Sequence, residues 1–122
     1  MAKVLVVDHD ADILQVVDVL LTMKGFTVNK LSSAKKVVEE VQSFKPDVIL
    51  LDIHPGGQDG RQICLELKSP GSPFRHIPVI LFSTMENIII EYPECEAIDF
   101  VPKPFDAIEL VEKIKKLTNA AS

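Results

Sequence analysis

The sequence predicts an α/β fold: a doubly wound parallel sheet of five strands in the order 2-1-3-4-5, with five helices and right-handed crossovers. Three observations carry that expectation. Short apolar runs alternate with helix-like segments along the whole chain. The runs Val4-Leu5-Val6-Val7 and Val48-Ile49-Leu50-Leu51 are apolar at every position, as strands covered on both faces are. Each of them is followed by an aspartate, Asp8 and Asp52. In such a sheet ligands bind beyond the carboxyl ends of the strands, at the switch point between strands one and three. Fold and aspartates therefore point to the same place.

The elements follow in order. After the first strand, Ile13, Val16, Val17, Leu20 and Leu21 recur at helical spacing, and Lys24-Gly25 closes that helix. Phe26-Thr27-Val28 reads as a short second strand. Ser32 or Ser33 caps a second helix with Val37, Val38, Val41 and Phe44 inward, which Pro46 stops before Asp47 opens the third strand. A third helix starts at Asp59-Gly60, carries Ile63 and Leu67, and ends near Ser69-Pro70-Gly71. The fourth strand, Val79-Ile80-Leu81-Phe82, follows Pro78 and ends in Ser83-Thr84. Residues 85–96 hold Ile88-Ile89-Ile90, and Pro93 limits any helix there to about two turns. The fifth strand, residues 98–101, leads into Pro102-Lys103-Pro104. Asp106 with Glu109 makes a capping-box-like start to a last helix whose inner stripe is Ile108, Val111, Ile114 and Leu117.

A chain of 122 residues is expected to form one domain, 1–122, with a sizeable core. Its net charge of −5 argues against direct binding to nucleic acid or an anionic membrane. No apolar stretch approaches the roughly 20 residues of a membrane span. Met1-Ala2-Lys3 enters a strand directly, so no signal peptide is expected and the chain reads as cytoplasmic. Cys64 and Cys95 match no metal-ligand spacing and read as reduced thiols.

Two carboxylates, a hydroxyl and a lysine thus converge on one sheet edge, a set that suits a divalent metal and a phosphoryl group. Asp52 reads either as an aspartate capping the next turn or as a carboxylate nucleophile that forms an aspartyl phosphate. The second chemistry needs a metal to neutralise charge and a cation on the phosphoryl oxygens. Asp8 fits the metal role, since Mg²⁺ takes one or two carboxylates plus waters. Lys103, between two prolines, fits the cation role, and Ser83 could donate its hydroxyl.

Strand-Asp8, strand-Asp52 with Asp59-Gly60 beyond it, strand-Ser83, and Val101-Pro102-Lys103-Pro104-Phe105 together resemble the receiver domain of bacterial two-component response regulators, whose fold is flavodoxin-like. The similarity spans nearly the whole chain. It implies Mg²⁺-dependent phosphorelay transfer from a sensor histidine kinase or phosphotransfer protein to Asp52, in a phosphoacceptor that is not a turnover enzyme. It implies metal ligation by Asp8, Asp52 and the backbone carbonyl of His54, with either His9 or Asp10 as a further candidate. It implies catalytic roles for Lys103 and Ser83, and a switch of Ser83 with Phe100 that alters the surface offered to a downstream protein or effector domain. Residues 85–96, with the fifth strand and last helix, would form the partner face, a homodimer being one such assembly.

The resemblance departs at two places. Receivers usually carry two adjacent acids after strand one, whereas His9 follows Asp8 here. Pro55 stands one residue earlier than the family's proline and is followed by Gly56-Gly57. These departures leave an alternative open: a pseudo-receiver that keeps the fold and acts as a protein-interaction module without phosphorylation.

Overall fold

The computed structural model describes residues 2–33, 36–52, 66–84, 99–103 and 105–119, with the backbone alone at 83–84, 99–100, 102–103 and 119. Five strands form one parallel sheet: β1 (Lys3–Val7), β2 (Thr27–Leu31), β3 (Val48–Asp52), β4 (Val79–Thr84) and β5 (Asp99–Lys103). Their order is β2-β1-β3-β4-β5, as the sequence predicts. Three helices are described in full: α1 (Ala11–Met23), α2 (Val37–Phe44) and α3 (Ala107–Asn119). Of the segment expected to form a helix from Asp59-Gly60, residues 66–68 are helical and Leu67 is buried. The start of that segment, and residues 85–96, lie outside the described residues.

Strand alternation explains why the central runs are apolar throughout. Leu5, Val7, Ile49, Leu51, Val79 and Leu81 pack with Val37 and Val41 of α2. Val4, Val6, Val48, Leu50, Ile80, Phe82 and Val101 pack with α1 and with Leu110, Val111 and Ile114 of α3. Successive side chains point to opposite faces, and each face meets a helix.

Several expectations shift in detail. Phe26 belongs to the turn closing α1 rather than to β2. Its N–H donates to Leu21 O and the Gly25 N–H to Thr22 O, both at 3.1 Å, with Gly25 at φ +94°. That is a Schellman closure, which needs a positive φ at the glycine. β2 then runs on through Asn29 and Lys30, because on an edge strand polar side chains find partners: Asn29 Nδ2 donates to Glu40 at 3.0 Å and Lys30 pairs with Asp18 at 2.9 Å. β5, described from Asp99, runs past the expected end at residue 101 and includes Pro102, which an edge strand tolerates because only one side of its ladder is needed. Lys36, not a serine, holds the N-cap position of α2, with no side-chain cap bond.

The sheet selects the packed face of each helix, which corrects the inward placement of Ile108. On α1 the buried stripe is Leu14, Val17 and Leu21, and Val16 is 54% exposed. On α3 it is Leu110, Val111 and Ile114, and Ile108 is 71% exposed. A helix lying on a sheet buries a stripe about 100° wide, and Val16 and Ile108 fall outside it. The α3 cap is as expected: Asp106 Oδ1 accepts from the N–H groups of Ile108 (2.9 Å) and Glu109 (3.2 Å).

Two modest stability effects follow. A Cβ on Gly25 would meet nothing within 4 Å, so Gly25→Ala strains only the backbone. It is expected to lower stability in urea by about 1 kcal/mol. The Asp18 carboxyl is held below its ordinary 3.8, first by the hydrogen bond from Lys30 and also by Thr22, against desolvation. A depressed folded pKa means that the stabilisation is present above 3.8 and is lost as pH falls through the folded value. Both partners are partly exposed, so Asp18→Asn is expected to cost under about 1 kcal/mol at pH 7. The cost disappears in acid, as denaturation at the two pH values would show.

Candidate functional site

Parallel pairing of β1 with β3 sets Val7 beside Leu51, so the next residues, Asp8 and Asp52, emerge together at the carboxyl edge. The main chain fixes Asp8 from both sides. Its N–H donates to Leu31 O at 3.0 Å, and its Oδ1 accepts from the Asp10 N–H at 2.9 Å. Asp52, the last residue of β3, pairs in register with Phe82 of β4. Both carboxylates are buried, Asp8 at 1% and Asp52 at 3% exposure.

His9 completes the group. Its Nδ1 lies 2.9 Å from Asp52 Oδ2 and 3.6 Å from Asp8 Oδ1, while the side chain is 55% exposed. Facing a carboxylate, which only accepts, Nδ1 is the donor of the shorter contact. Among the described residues, Asp8, His9 and Asp52 form a group able to hold a metal ion, with one ligand atom from each within 4.8 Å of the others. Two buried carboxylates fit Mg²⁺, which prefers oxygen donors. The imidazole nitrogen does not, being suited to softer cations.

Residues 4–115 match the family described as the response regulator receiver domain. The chain belongs to that family. This receiver domain is 31% identical over 119 residues to the response regulator PleD of Caulobacter vibrioides. That match takes in 96% of the chain and 26% of PleD, so the chain spans about a quarter of that relative. It also superposes, with TM-score 0.89 and 26% identity, on the signal receiver domain of a signal transduction histidine kinase from Syntrophus aciditrophicus, covering 98% of this chain and 92% of that one. A third likeness, at TM-score 0.86 and 19% identity, shows the fold alone. It is to the receiver domain of a sensor histidine kinase from Pseudomonas aeruginosa PAO1, solved with a magnesium ion coordinated in its active-site cleft, and covers 97% of this chain and 98% of that one.

The remaining site candidates distribute as follows. Asp10 is the N-cap of α1, its Oδ1 accepting from the N–H groups of Asp12 (2.9 Å) and Ile13 (3.4 Å), and His9 rather than Asp10 joins the two carboxylates. Ser83 follows Phe82 in β4 and lies in register with Pro102, as Thr84 does with Lys103, the last residue of β5. Phe100 pairs with Leu81. The backbone thus sets Ser83 and Lys103 near the carboxyl ends of β4 and β5. His54 and Pro55 lie outside the described residues. A cleft of about 510 Å³ between α2 and Pro73–Ile77 sits at the opposite strand ends, around Pro46 and Asp47, away from this chemistry.

The receiver domain holds one contact that sequence reasoning missed, the reach of His9 to Asp52. The signal available in the sequence was the equal placement of two strand-end aspartates with His9 next to one of them. Among the described residues no helix is long and apolar enough to cross a membrane.

Proposed function

We propose that this receiver domain accepts a phosphoryl group on Asp52 and works as a switch in two-component signalling. The observation that supports the reading is the pairing of two buried carboxylates at the ends of adjacent central strands. In the reaction an Asp52 oxygen forms a bond to phosphorus as the P–N bond of a donor phosphohistidine breaks, giving an aspartyl phosphate. Asp8, Asp52 and the His54 carbonyl would hold a divalent cation, Mg²⁺ in the family resemblance, which when bound neutralises charge on the phosphoryl oxygens. Lys103 offsets the remaining charge, and Ser83 donates its hydroxyl to a phosphoryl oxygen. Ser83 and Phe100 then relay the change to the partner surface.

The donor is a sensor histidine kinase or phosphotransfer protein, and the output is contact with a downstream protein or effector domain. The domain is an acceptor that turns over only through loss of its own phosphoryl group, so no steady hydrolysis of a generic phosphoester is expected. Intact mass after incubation with acetyl phosphate tests the reading. A phosphoryl adduct that needs Mg²⁺ or Mn²⁺ is expected, and a folded sample giving no adduct with either cation overturns it. The His9–Asp52 hydrogen bond, which occupies an oxygen of the acceptor, favours one second reading: a pseudo-receiver that binds partners unphosphorylated. Under that reading no adduct forms until His9→Asp restores the paired acids.

A further inference from the structure

We propose that His9 supplies a nitrogen ligand to the cation of this site, so that Asp8, His9 and Asp52 select a first-row transition divalent cation over Mg²⁺. The inference rests on the receiver reading above for the site's purpose, and on the geometry for the choice of ion. Ligands bound in neighbouring octahedral positions at 2.1 Å from an ion lie about 3.0 Å apart. His9 Nδ1 stands 2.9 Å from Asp52 Oδ2 and 3.6 Å from Asp8 Oδ1. The Asp52 contact matches that spacing and the Asp8 contact is somewhat longer, while one ligand atom from each of the three residues lies within 4.8 Å of the others. Nδ1 already faces both carboxylates, and ligation asks only that its lone pair replace the N–H now directed at Asp52.

The donor chemistry decides which ion benefits. Two buried carboxylates serve Mg²⁺ and transition cations alike, whereas imidazole adds affinity for the latter and little for Mg²⁺. Among the three, His9 is the exposed member, at 55% against 1% for Asp8. The residue that departs from a paired-acid arrangement is also the residue that alters the preference.

Mn²⁺ is the probe, because it accepts nitrogen and oxygen octahedrally and is paramagnetic. The chelator-treated protein would be titrated with Mn²⁺ and, in competition, with Mg²⁺, and the Mn²⁺ form examined by pulsed electron paramagnetic resonance. A nitrogen coupling is expected in the wild type and absent in His9→Asp. The Mn²⁺-to-Mg²⁺ affinity ratio should fall by about tenfold or more in that variant. Asp8→Asn should lose the coupling too, which separates this site from His76 on the surface. Absence of nitrogen coupling in the loaded wild type, its survival in His9→Asp or Asp8→Asn, or an unchanged ratio overturns the proposal. Failure here is separable from failure of the receiver reading. A Mg²⁺-supported adduct without nitrogen coupling sinks only the ligand assignment. Coupling through His9 with no phosphoryl adduct sinks only the acceptor role.

Discussion

Replacing Asp52 by asparagine is expected to abolish phosphoryl acceptance while leaving the fold intact. The amide is nearly isosteric and can still accept from His9 Nδ1, which now lies 2.9 Å from Asp52 Oδ2. It carries no nucleophilic oxyanion, so the bond to phosphorus cannot form at useful rates. Asp8→Asn keeps the nucleophile and weakens the cation site, and its acceptance rate should fall roughly 100-fold or more, the usual size for removing one aimed electrostatic group. Complete loss in one variant and slow reaction in the other separates the acceptor from its support. Circular dichroism and urea unfolding of both variants check that neither effect is loss of fold. Equal residual rates in the two would contradict the assignment of roles.

Truncating Phe82 to alanine is expected to produce the largest stability loss, about 3–5 kcal/mol in chemical denaturation. Phe82 is 1% exposed, lies opposite Asp52 in the β3–β4 pairing, and packs into the face covered by α1 and α3. Its ring meets Phe105 edge-on, with centroids 5.4 Å apart and planes at 72°. That contact is worth about 0.5–1.5 kcal/mol beyond burial, which a double-mutant cycle with Phe105→Leu would isolate. Phe105 stands two residues beyond Lys103, between β5 and α3. Loosening it is therefore expected to slow phosphoryl acceptance as well as to cost stability, linking the core to the position of the lysine.

Most of the sheet was legible because its signals are local. An unbroken apolar run of four residues followed by an aspartate marks a strand with both faces covered, and two such runs locate the switch point. Edges were less legible. β2 continues through Asn29 and Lys30 because Glu40 and Asp18 partner them, and neither partner is local in sequence. β5 extends through Pro102 because it has one neighbour, a fact of topology rather than of composition. Helical spacing admits more than one apolar stripe, so Val16 fits the pattern of α1 and Ile108 the expected inner stripe of α3, and only the packed sheet decides which stripe is used. Placement of Asp8 and Asp52 together was readable from the fold, but the reach of His9 from beyond the end of β1 to Asp52 of β3 depends on strand register and side-chain rotamer. The acid pair usual in receivers offered no guide to it, since that pair is the feature this chain replaces.

The most direct test of the central claim is to locate the phosphoryl group itself. Protein treated with acetyl phosphate and a divalent cation would be reduced with borohydride, which converts an aspartyl phosphate to homoserine, and then digested and sequenced by mass spectrometry. Homoserine at position 52, and at no other aspartate, is the expected result. Conversion at Asp8 or Asp10, or a phosphoryl group retained on His9, would contradict the account of Asp52 as the acceptor.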